Sequence, residues 1–319
     1  MPAILSMLPV AVFGKYFSQE TLSQFLGVGI VVLTYRMAMI LSKNNRRIAL
    51  WAALLIGLGS IVWYLSATGS SWYLGQISAC FFLSAVLVEA LGKKRGLIIG
   101  ILLGASYLSR INIILAVPFV VLITQKEIKI TKNFIYIVLG FLPFFLFNAL
   151  YNYLRFGVIW DQAYFLLPQI LKETTTPWFF KGVMSPYYIP SNLKAAFWSF
   201  PIILNHFPYL QPSWAGQAIW LTTPAFIFAF LSPAKNRLTL ISWGTIIIMF
   251  LFTALHGGTG FAQFGYRFAV DFYPFLTLLT ILGVSRTGLK WYHWLLLIIS
   301  VAFNLWGVLW INKFGWVSF

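Results

Sequence analysis

Long apolar runs separated by short polar connections extend from one end of this chain to the other. A helix needs about 20 apolar residues to cross the ~30 Å hydrocarbon core of a bilayer. Eight runs have this length or come close to it: 21–41, 48–64, 73–91, 134–153, 214–231, 238–255, 268–284 and 291–311. Two shorter runs, 96–108 and 111–123, lie among them. The pattern predicts an all-α fold in which residues 1–319 form a single polytopic transmembrane helical bundle of about 10 membrane segments.

Alternate connections between these runs carry clusters of Lys and Arg. The clusters are Lys43 with Arg46 and Arg47, Lys93 with Lys94 and Arg95, Lys126 with Lys129 and Lys132, Lys235 with Arg237, and Arg286 with Lys290. Short loops rich in Lys and Arg stay on the cytoplasmic side of a membrane. The alternation therefore predicts an integral membrane protein with these basic loops in the cytoplasm and the other connections outside.

The two shorter runs must lead outwards and back, because the basic clusters on both sides of them are placed in the cytoplasm. Each has about 13 residues, or about 20 Å of helix, which is too short to cross alone. Their apex, at Arg110 and Asn112, is predicted to lie below the outer surface and to face protein or a wet cavity, because lipid tolerates neither unpaired backbone nor Arg. The opening residues 1–13 are also too short to span, and predict a re-entrant or interfacial helix at the outer face.

One connection, residues 154–213, is much longer than the others and is predicted to be extracytoplasmic. It holds seven of the 14 prolines and many aromatic residues, and long ordered loops are usually functional. Its apolar stretches 163–171 and 193–204 are predicted to lie on the membrane surface as interfacial helices.

Composition agrees with a lipid environment and excludes a soluble enzyme. Of 319 residues, 60% are hydrophobic and 9% are charged, whereas soluble domains carry about 25% charged residues. The net charge of +16 does not indicate nucleic acid, because the basic residues lie in short clusters between apolar runs. The single cysteine, Cys80, excludes an intramolecular disulfide and a multi-cysteine metal cage.

Apart from Glu89, which lies at the end of the run 73–91, Asp271 is the only carboxylate inside a predicted span, and Arg267 precedes it by four positions. An intramembrane carboxylate is costly and is usually paired. Two interpretations stay open: a structural Arg267–Asp271 pair, or an anion site in which Asp271 orients Arg267. The run that begins at His256 and continues with Gly257, Gly258, Thr259 and Gly260 precedes them, and its amide groups could face an anion.

Two further groups of polar residues are predicted to lie near the outer surface. Asn148, Asn152 and Arg155 share one face at the end of the run 134–153, where they either cap the helix or line a cavity. For Arg110 with Asn112, at the predicted buried apex, a functional role is favoured over a purely structural one, because a charged residue in the membrane is costly. Arg110, Arg155 and Arg267 are therefore predicted to converge on one outer-half cavity, where guanidinium groups would bind phosphate or pyrophosphate.

The order of five stretches resembles the GT-C class of polyprenyl-phosphate-dependent glycosyltransferases, which includes protein O-mannosyltransferases and the bacterial aminoarabinose transferase. The stretches are 2–14 (PAILSMLPVAVFG), 52–64 (AALLIGLGSIVWY), 96–118 (GLIIGILLGASYLSRINIILAVP), 148–164 (NALYNYLRFGVIWDQAY) and 257–274 (GGTGFAQFGYRFAVDFYP). Each motif is degenerate, and their order over almost the whole chain carries the resemblance.

The resemblance implies a membrane enzyme of the bacterial or archaeal cell envelope. It would move a hexosyl or pentosyl group from a polyprenyl-phosphate sugar to an acceptor at the extracytoplasmic face, with membrane lipid as its other partner. In this family a carboxylate of the first outer loop is the general base. Here the chain begins inside what resembles the end of that loop, so the resemblance places this acid upstream of Met1 and implies an N-terminally truncated enzyme. No cofactor is certain, and a divalent metal stays open.

Two other classes of function are weighed against glycosyl transfer. A lipid or polysaccharide transporter should carry polar residues through the full depth of its spans, and here they stop near the outer half. A non-catalytic remnant that binds lipid-linked sugar without turnover is favoured by the missing acid. The catalytic residue is left unassigned, and the predicted substrate-binding residues are Arg110, Asn112, Asn152, Arg155, His256, Arg267 and Asp271.

Overall fold

The computed structural model describes residues 1–125, 130–170, 179–207, 209–213, 216–260 and 263–314. These residues are mostly helical, which confirms the predicted all-α class. The α-helices are α1 (Pro2–Phe13), α2 (Gln19–Leu41), α3 (Arg46–Leu58), α4 (Val62–Thr68), α5 (Ser71–Leu91), α6 (Gly96–Ser109), α7 (Val117–Thr124), α8 (Lys132–Phe156), α9 (Ala163–Ile170), α10 (Ile189–Phe197), α11 (Ile219–Thr222), α12 (Arg237–Ala254), α13 (Tyr273–Thr287) and α14 (Trp291–Val308). Five 3₁₀ segments are described, at Gly14–Tyr16, Ile111–Ala116, Pro186–Tyr188, Pro224–Leu231 and Arg267–Asp271. A π-helical turn, Leu309–Lys313, extends α14, and the strands β1 (Ile202–Ile203) and β2 (Leu210–Gln211) pair antiparallel.

Five helices of the described chain are long and apolar enough to cross a membrane, which is consistent with an integral membrane protein. They are α2, α5, α8, α12 and α14 with its extension to Ile311. The bent pair α3 and α4 adds a sixth if it is counted as one span. The prediction of about 10 membrane segments is therefore not supported by the part of the chain that the structure describes.

Two of the predicted runs that do not form a spanning helix, 214–231 and 268–284, are apolar as predicted, but their α-helices are interrupted. In the run 214–231, the four-residue helix α11 gives way to the 3₁₀ segment Pro224–Leu231, because proline has no N–H to continue an α-helix. Eight 3₁₀ residues extend only about 16 Å. The run 268–284 begins in the 3₁₀ segment Arg267–Asp271, and the helix that follows, α13, has only 15 residues and extends past the run to Thr287. Hydropathy therefore predicts that these segments are apolar, but it does not predict where their α-helices are interrupted.

The break between α3 and α4 is a bend of 48°. It falls at Gly59 and Ser60, a residue pair at which helices commonly kink. The Ser60 hydroxyl donates to the Ile56 carbonyl oxygen at 2.7 Å. A Cβ atom added at Gly59 would lie 3.1 Å from Ser300 Cβ of α14. Glycine therefore allows α14 to approach the chain at the bend.

Helices α6 and α8 pack against each other through glycines. A Cβ atom added at Gly100 would collide with the Ile137 carbonyl oxygen, and one added at Gly140 would collide with the Leu97 carbonyl oxygen. Small residues let two helix backbones approach closely, which is the usual way that helices associate in lipid. This contact holds α6, although it is too short to span, against the full-length helix α8.

The basic connections gather at one end of the bundle, here called the basic end. The start of α6 meets the start of α8, where the Gly96 amide donates to Asn133 Oδ1 at 2.8 Å. The end of α13 meets the connection before α12, where Arg286 donates to the Leu231 carbonyl oxygen at 3.3 Å. Lys94 and Arg237 line one cavity. Which side of the membrane this end faces stays a prediction.

The opposite end, here called the site end, is where α6 and α12 finish and where α2 and α5 begin. Helix α1 has no buried residue and lies beside it, with the Met1 amino group 2.6 Å from the Leu108 carbonyl oxygen. Helix α9 coincides with the first predicted interfacial helix, residues 163–171. The second predicted interfacial helix, 193–204, is wrong in its bounds: α10 ends at Phe197, and β1 follows.

Candidate functional site

A buried cluster at the site end is built on Asp271. Its Oδ2 atom accepts from Arg110 Nη2 at 2.9 Å and from Asn112 Nδ2 at 2.6 Å. Helix α6 ends at Ser109, and Arg110 is extended (φ −148°, ψ 116°). This turn lets two residues of a tight connection reach one carboxylate that lies 161 and 159 positions away in the sequence. The predicted apex therefore faces protein, as the sequence argument expects.

Both interpretations of the Arg267–Asp271 spacing, a structural pair and a carboxylate that orients Arg267, require contact between the two side chains. Among the described residues the salt bridge of Asp271 is with Arg110 instead, and the described hydrogen bonds of Arg267 are with other residues. The physical reason is the local helix type. Positions four apart share a face in an α-helix, but these two residues lie at the ends of a 3₁₀ segment. With 3 residues per turn, four positions differ by about 120° around the axis. The two side chains therefore point in different directions.

Arg267 is 8% exposed and is held by uncharged groups. Its Nε atom donates to the Gly260 carbonyl oxygen at 3.1 Å, and Nη1 donates to Gln76 Oε1 at 3.1 Å. The guanidinium carbon lies 5.6 Å from the centre of the Tyr73 ring and 5.1 Å from that of Phe268. Among the described residues, no carboxylate forms an ion pair with it.

The two guanidinium groups share the Phe268 ring, since the Arg110 guanidinium carbon lies 5.6 Å from its centre. Burial, and then the positive charge of Arg110, lower the pKa of Arg267 to about 10. Arg267 therefore stays a cation at neutral pH. Two cations with one carboxylate, Asp271, give this cluster a net positive charge.

The long connection covers the cluster. The Gly257 amide donates to the Val183 carbonyl oxygen at 2.9 Å, and Asn192 Nδ2 donates to the His256 carbonyl oxygen at 3.0 Å. The Phe179 ring stands edge-on to the His256 ring, with centroids 5.4 Å apart. Residues 179–192 are thus packed over the glycine-rich run that follows α12.

His256 lies between this cover and the arginines. Its ring centroid is 5.3 Å from that of Phe268. Nδ1 lies 3.1 Å from the Gly258 amide nitrogen, which donates to it. Burial first, and then the charges of Arg110 and Arg267, lower the pKa of His256. It is therefore a neutral imidazole at neutral pH, and adds no third cation to the cluster.

Arg155 does not join the other two arginines, so the predicted convergence of three is wrong for this residue. It is exposed, and Nη1 donates to the Tyr151 hydroxyl oxygen of its own helix at 3.2 Å. Its guanidinium carbon lies 4.8 Å from the centre of the Phe156 ring. Arg155 follows Asn152 by three positions, and is therefore displaced about 60° around α8, which turns it away from the bundle.

The two asparagines of α8 pack towards the bundle. Asn148 Nδ2 donates to the Tyr107 hydroxyl oxygen of α6 at 2.9 Å. Asn152 is 3% exposed, and its Nδ2 atom has no partner among the described residues. Their described contacts do not reach Asp271. Asn148 and Asn152 thus lie on one face of α8, as predicted, but the described contact of Asn148 is with α6.

Gln76 is a site residue that the sequence analysis misses. Its Nε2 atom donates to the Arg267 carbonyl oxygen at 3.0 Å while Oε1 accepts from the same residue's guanidinium. The Arg267 backbone amide donates to Gln263 Oε1 at 2.9 Å. Gln76 is the only side-chain amide in the apolar helix α5. A polar residue within an apolar helix is the signal that could have identified it.

The described residues contain no group of three or more His, Cys, Asp or Glu side chains that could hold a metal ion. Comparison with protein-family models, with curated proteins and with solved structures finds no match to this chain. The fold and the site define an all-α protein, with apolar helices consistent with membrane insertion and a buried, net-positive cluster near one end. Chemically, this cluster can hold an anion, and its one carboxylate is already bound to Arg110 and Asn112.

Proposed function

We propose that this chain binds the phosphate group of a polyprenyl-phosphate sugar at the cluster of Arg110 and Arg267, and acts in transfer of the sugar at the outer face of the membrane. The observation that supports this proposal is the buried Arg267 guanidinium without a carboxylate partner among the described residues. Burial of an ion costs several kcal/mol unless it is paired. Hydrogen bonds to Gly260 and Gln76 offset part of this cost, and an anion would offset more.

The arrangement of charge suits a phosphate better than a neutral sugar. Arg110 is already neutralised by Asp271 at 2.9 Å, so the positive charge that stays unbalanced is that of Arg267. A guanidinium with fixed orientation offers directed N–H groups to phosphate oxygens. If a sugar leaves such a phosphate, the charge that develops on its oxygens is stabilised by donors that need no reorganisation.

The test is binding of farnesyl phosphate, a short polyprenyl phosphate, to the purified chain. Arg267→Ala is expected to weaken binding about tenfold to a hundredfold, the usual range for loss of a hydrogen bond to a charged group. Arg155→Ala is the matched control, because it removes an exposed arginine outside the cluster. Farnesol, which has no phosphate, is expected to bind equally to all variants. Equal affinity of wild type and Arg267→Ala for farnesyl phosphate would contradict the proposal.

A second candidate is a protein that binds lipid-linked sugar without turnover. It is favoured by the state of Asp271, which is fully buried and whose Oδ2 atom already accepts two hydrogen bonds. Such a carboxylate is poorly placed to act as a general base. Release of radiolabelled sugar from a polyprenyl-phosphate sugar distinguishes the two: turnover supports the transferase, and binding without turnover supports the binding protein.

A further inference from the structure

A cavity of about 240 Å³ lies at the basic end, far along the helices from the arginine cluster. It is open to the surface, and it is lined by the end of α5 and the turn after it, the end of α7 and the start of α12. Its polar lining includes Lys94 and Arg237, and its apolar lining includes Leu122, Leu238 and Ile241. The cavity therefore has cations beside an apolar surface, which is the arrangement that an amphipathic anion requires.

Among the described residues, the charged side chains that line this cavity are cations. No Asp or Glu is among its described lining residues. The nearest carboxylate on α5, Glu89, is occupied by Arg95, whose Nε and Nη2 atoms donate to its two oxygens at 3.0 and 2.7 Å. Within the described part of the chain, Arg237 is held through Nη2, which donates to the Leu122 and Gln125 carbonyl oxygens at 3.0 and 2.8 Å.

Lys94 stands where a side chain is costly. Its φ is 57°, in the left-handed region that glycine occupies freely and that other L-residues adopt only with steric strain. The Lys94 amide donates to the Glu89 carbonyl oxygen at 2.8 Å, which holds the turn. This backbone conformation, in the turn after α5, places the lysine in the lining of the cavity that Arg237 also lines.

We propose that this cavity binds an anionic phospholipid of the leaflet at the basic end. Its phosphate would lie between Lys94 and Arg237, and the first methylenes of its acyl chains would lie on Leu122, Leu238 and Ile241. Basic pockets between membrane helices bind lipid head groups in this way. The apolar lining favours a phospholipid over free phosphate, which would leave that surface uncovered. This site is independent of the proposed function and of which side the basic end faces.

The test uses the purified full chain in neutral detergent, with lipids retained in native mass spectrometry. Phosphatidylglycerol is expected to bind and phosphatidylcholine, which has no net charge, to bind far less. Lys94→Asn with Arg237→Gln should lower phosphatidylglycerol binding about tenfold or more, because each removes a charge-assisted contact. Asparagine tolerates positive φ, so Lys94→Asn alone preserves the turn, and should lower binding several-fold.

The chain offers a matched control for each change. Lys43 is also an exposed lysine with positive φ (53°) in a basic connection, and Arg286 also donates to a backbone carbonyl at the basic end. Lys43→Asn with Arg286→Gln removes the same charge and should bind phosphatidylglycerol as the wild type does. Equal loss in both double variants would show a diffuse surface charge effect and overturn the site. Displacement of the lipid by millimolar inorganic phosphate would identify a free-anion site and overturn the lipid assignment.

Discussion

At the scale of single residues, the charge of the site is determined by which arginine forms the salt bridge with Asp271. Asp271 neutralises Arg110, which leaves Arg267 to be stabilised by amide and carbonyl oxygens. The sequence identifies all three residues as unusual, because charged groups within apolar runs are costly. It does not identify the pairing, which joins positions 161 apart and depends on how α6 meets the segment before α13. A spacing of four residues predicts contact only where the backbone is α-helical.

The Arg110–Asp271 pair predicts opposite effects on stability and on binding for substitutions of Asp271 and of Arg267. Asp271→Asn removes the counter-charge of Arg110, whose side chain is 21% exposed, and should lower stability by about 1–3 kcal/mol, less than for a fully buried pair. It should not weaken binding of farnesyl phosphate, because the cluster becomes more positive. Thermal unfolding and binding are measured on the same purified protein.

Arg267→Met removes a buried cation and keeps an unbranched side chain, so the apparent unfolding temperature of the free protein should stay unchanged or rise. Binding of farnesyl phosphate should fall. A loss of affinity in Asp271→Asn as large as that in Arg267→Met would show that the carboxylate contributes to binding, and would contradict this division of roles. Asn112→Ala, which leaves Arg110 paired, is the control for disturbance of the apex.

At the scale of helices, hydropathy predicts long uninterrupted elements well and interrupted ones poorly. The runs that became α2, α5, α8, α12 and α14 agree with the structure to within a few residues at each end. The run 48–64 contains the bend at Gly59 and Ser60, and the run 214–231 contains Pro224, so neither is a single straight helix. Residues that break a helix are visible in the sequence, but whether neighbouring helices satisfy the freed backbone groups is decided by packing.

The α6–α8 contact predicts a difference between two glycines in the middle of helices. Gly100→Ala places a methyl group against the Ile137 carbonyl oxygen and should destabilise the protein by about 1–3 kcal/mol through overpacking. Gly75→Ala is the control, because its added Cβ would lie 3.6 Å from the Ser109 carbonyl oxygen, an ordinary contact. That change should be neutral or stabilising, since alanine is the better helix former. Equal unfolding temperatures for both variants would contradict the close packing of α6 on α8.

At the scale of the whole molecule, the chain has two ends of different chemistry. The basic connections meet at one end, where Lys94 and Arg237 share a cavity, and the Asp271 cluster lies at the other. Positive charge at short loops is retained on the cytoplasmic side during insertion. The same asymmetry therefore predicts the orientation, with the arginine cluster towards the outside. The structure brings the basic connections to one end, and the side of the membrane that this end faces is determined by experiment.

Cysteine labelling in sealed cells tests this orientation. Lys94, Lys235 and Lys181 are all exposed, and Cys80 is 1% exposed, so it contributes little background. A cysteine at position 181 is expected to react with a membrane-impermeant maleimide in intact cells. Cysteines at positions 94 and 235 should react only after the membrane is permeabilised, because charged reagents do not cross it. Permeabilised cells are the control that each cysteine is reactive. Labelling at position 94 in intact cells, with protection at 181, would reverse the orientation. It would also place the arginine cluster near the cytoplasm, where an outer-face sugar transfer could not use it.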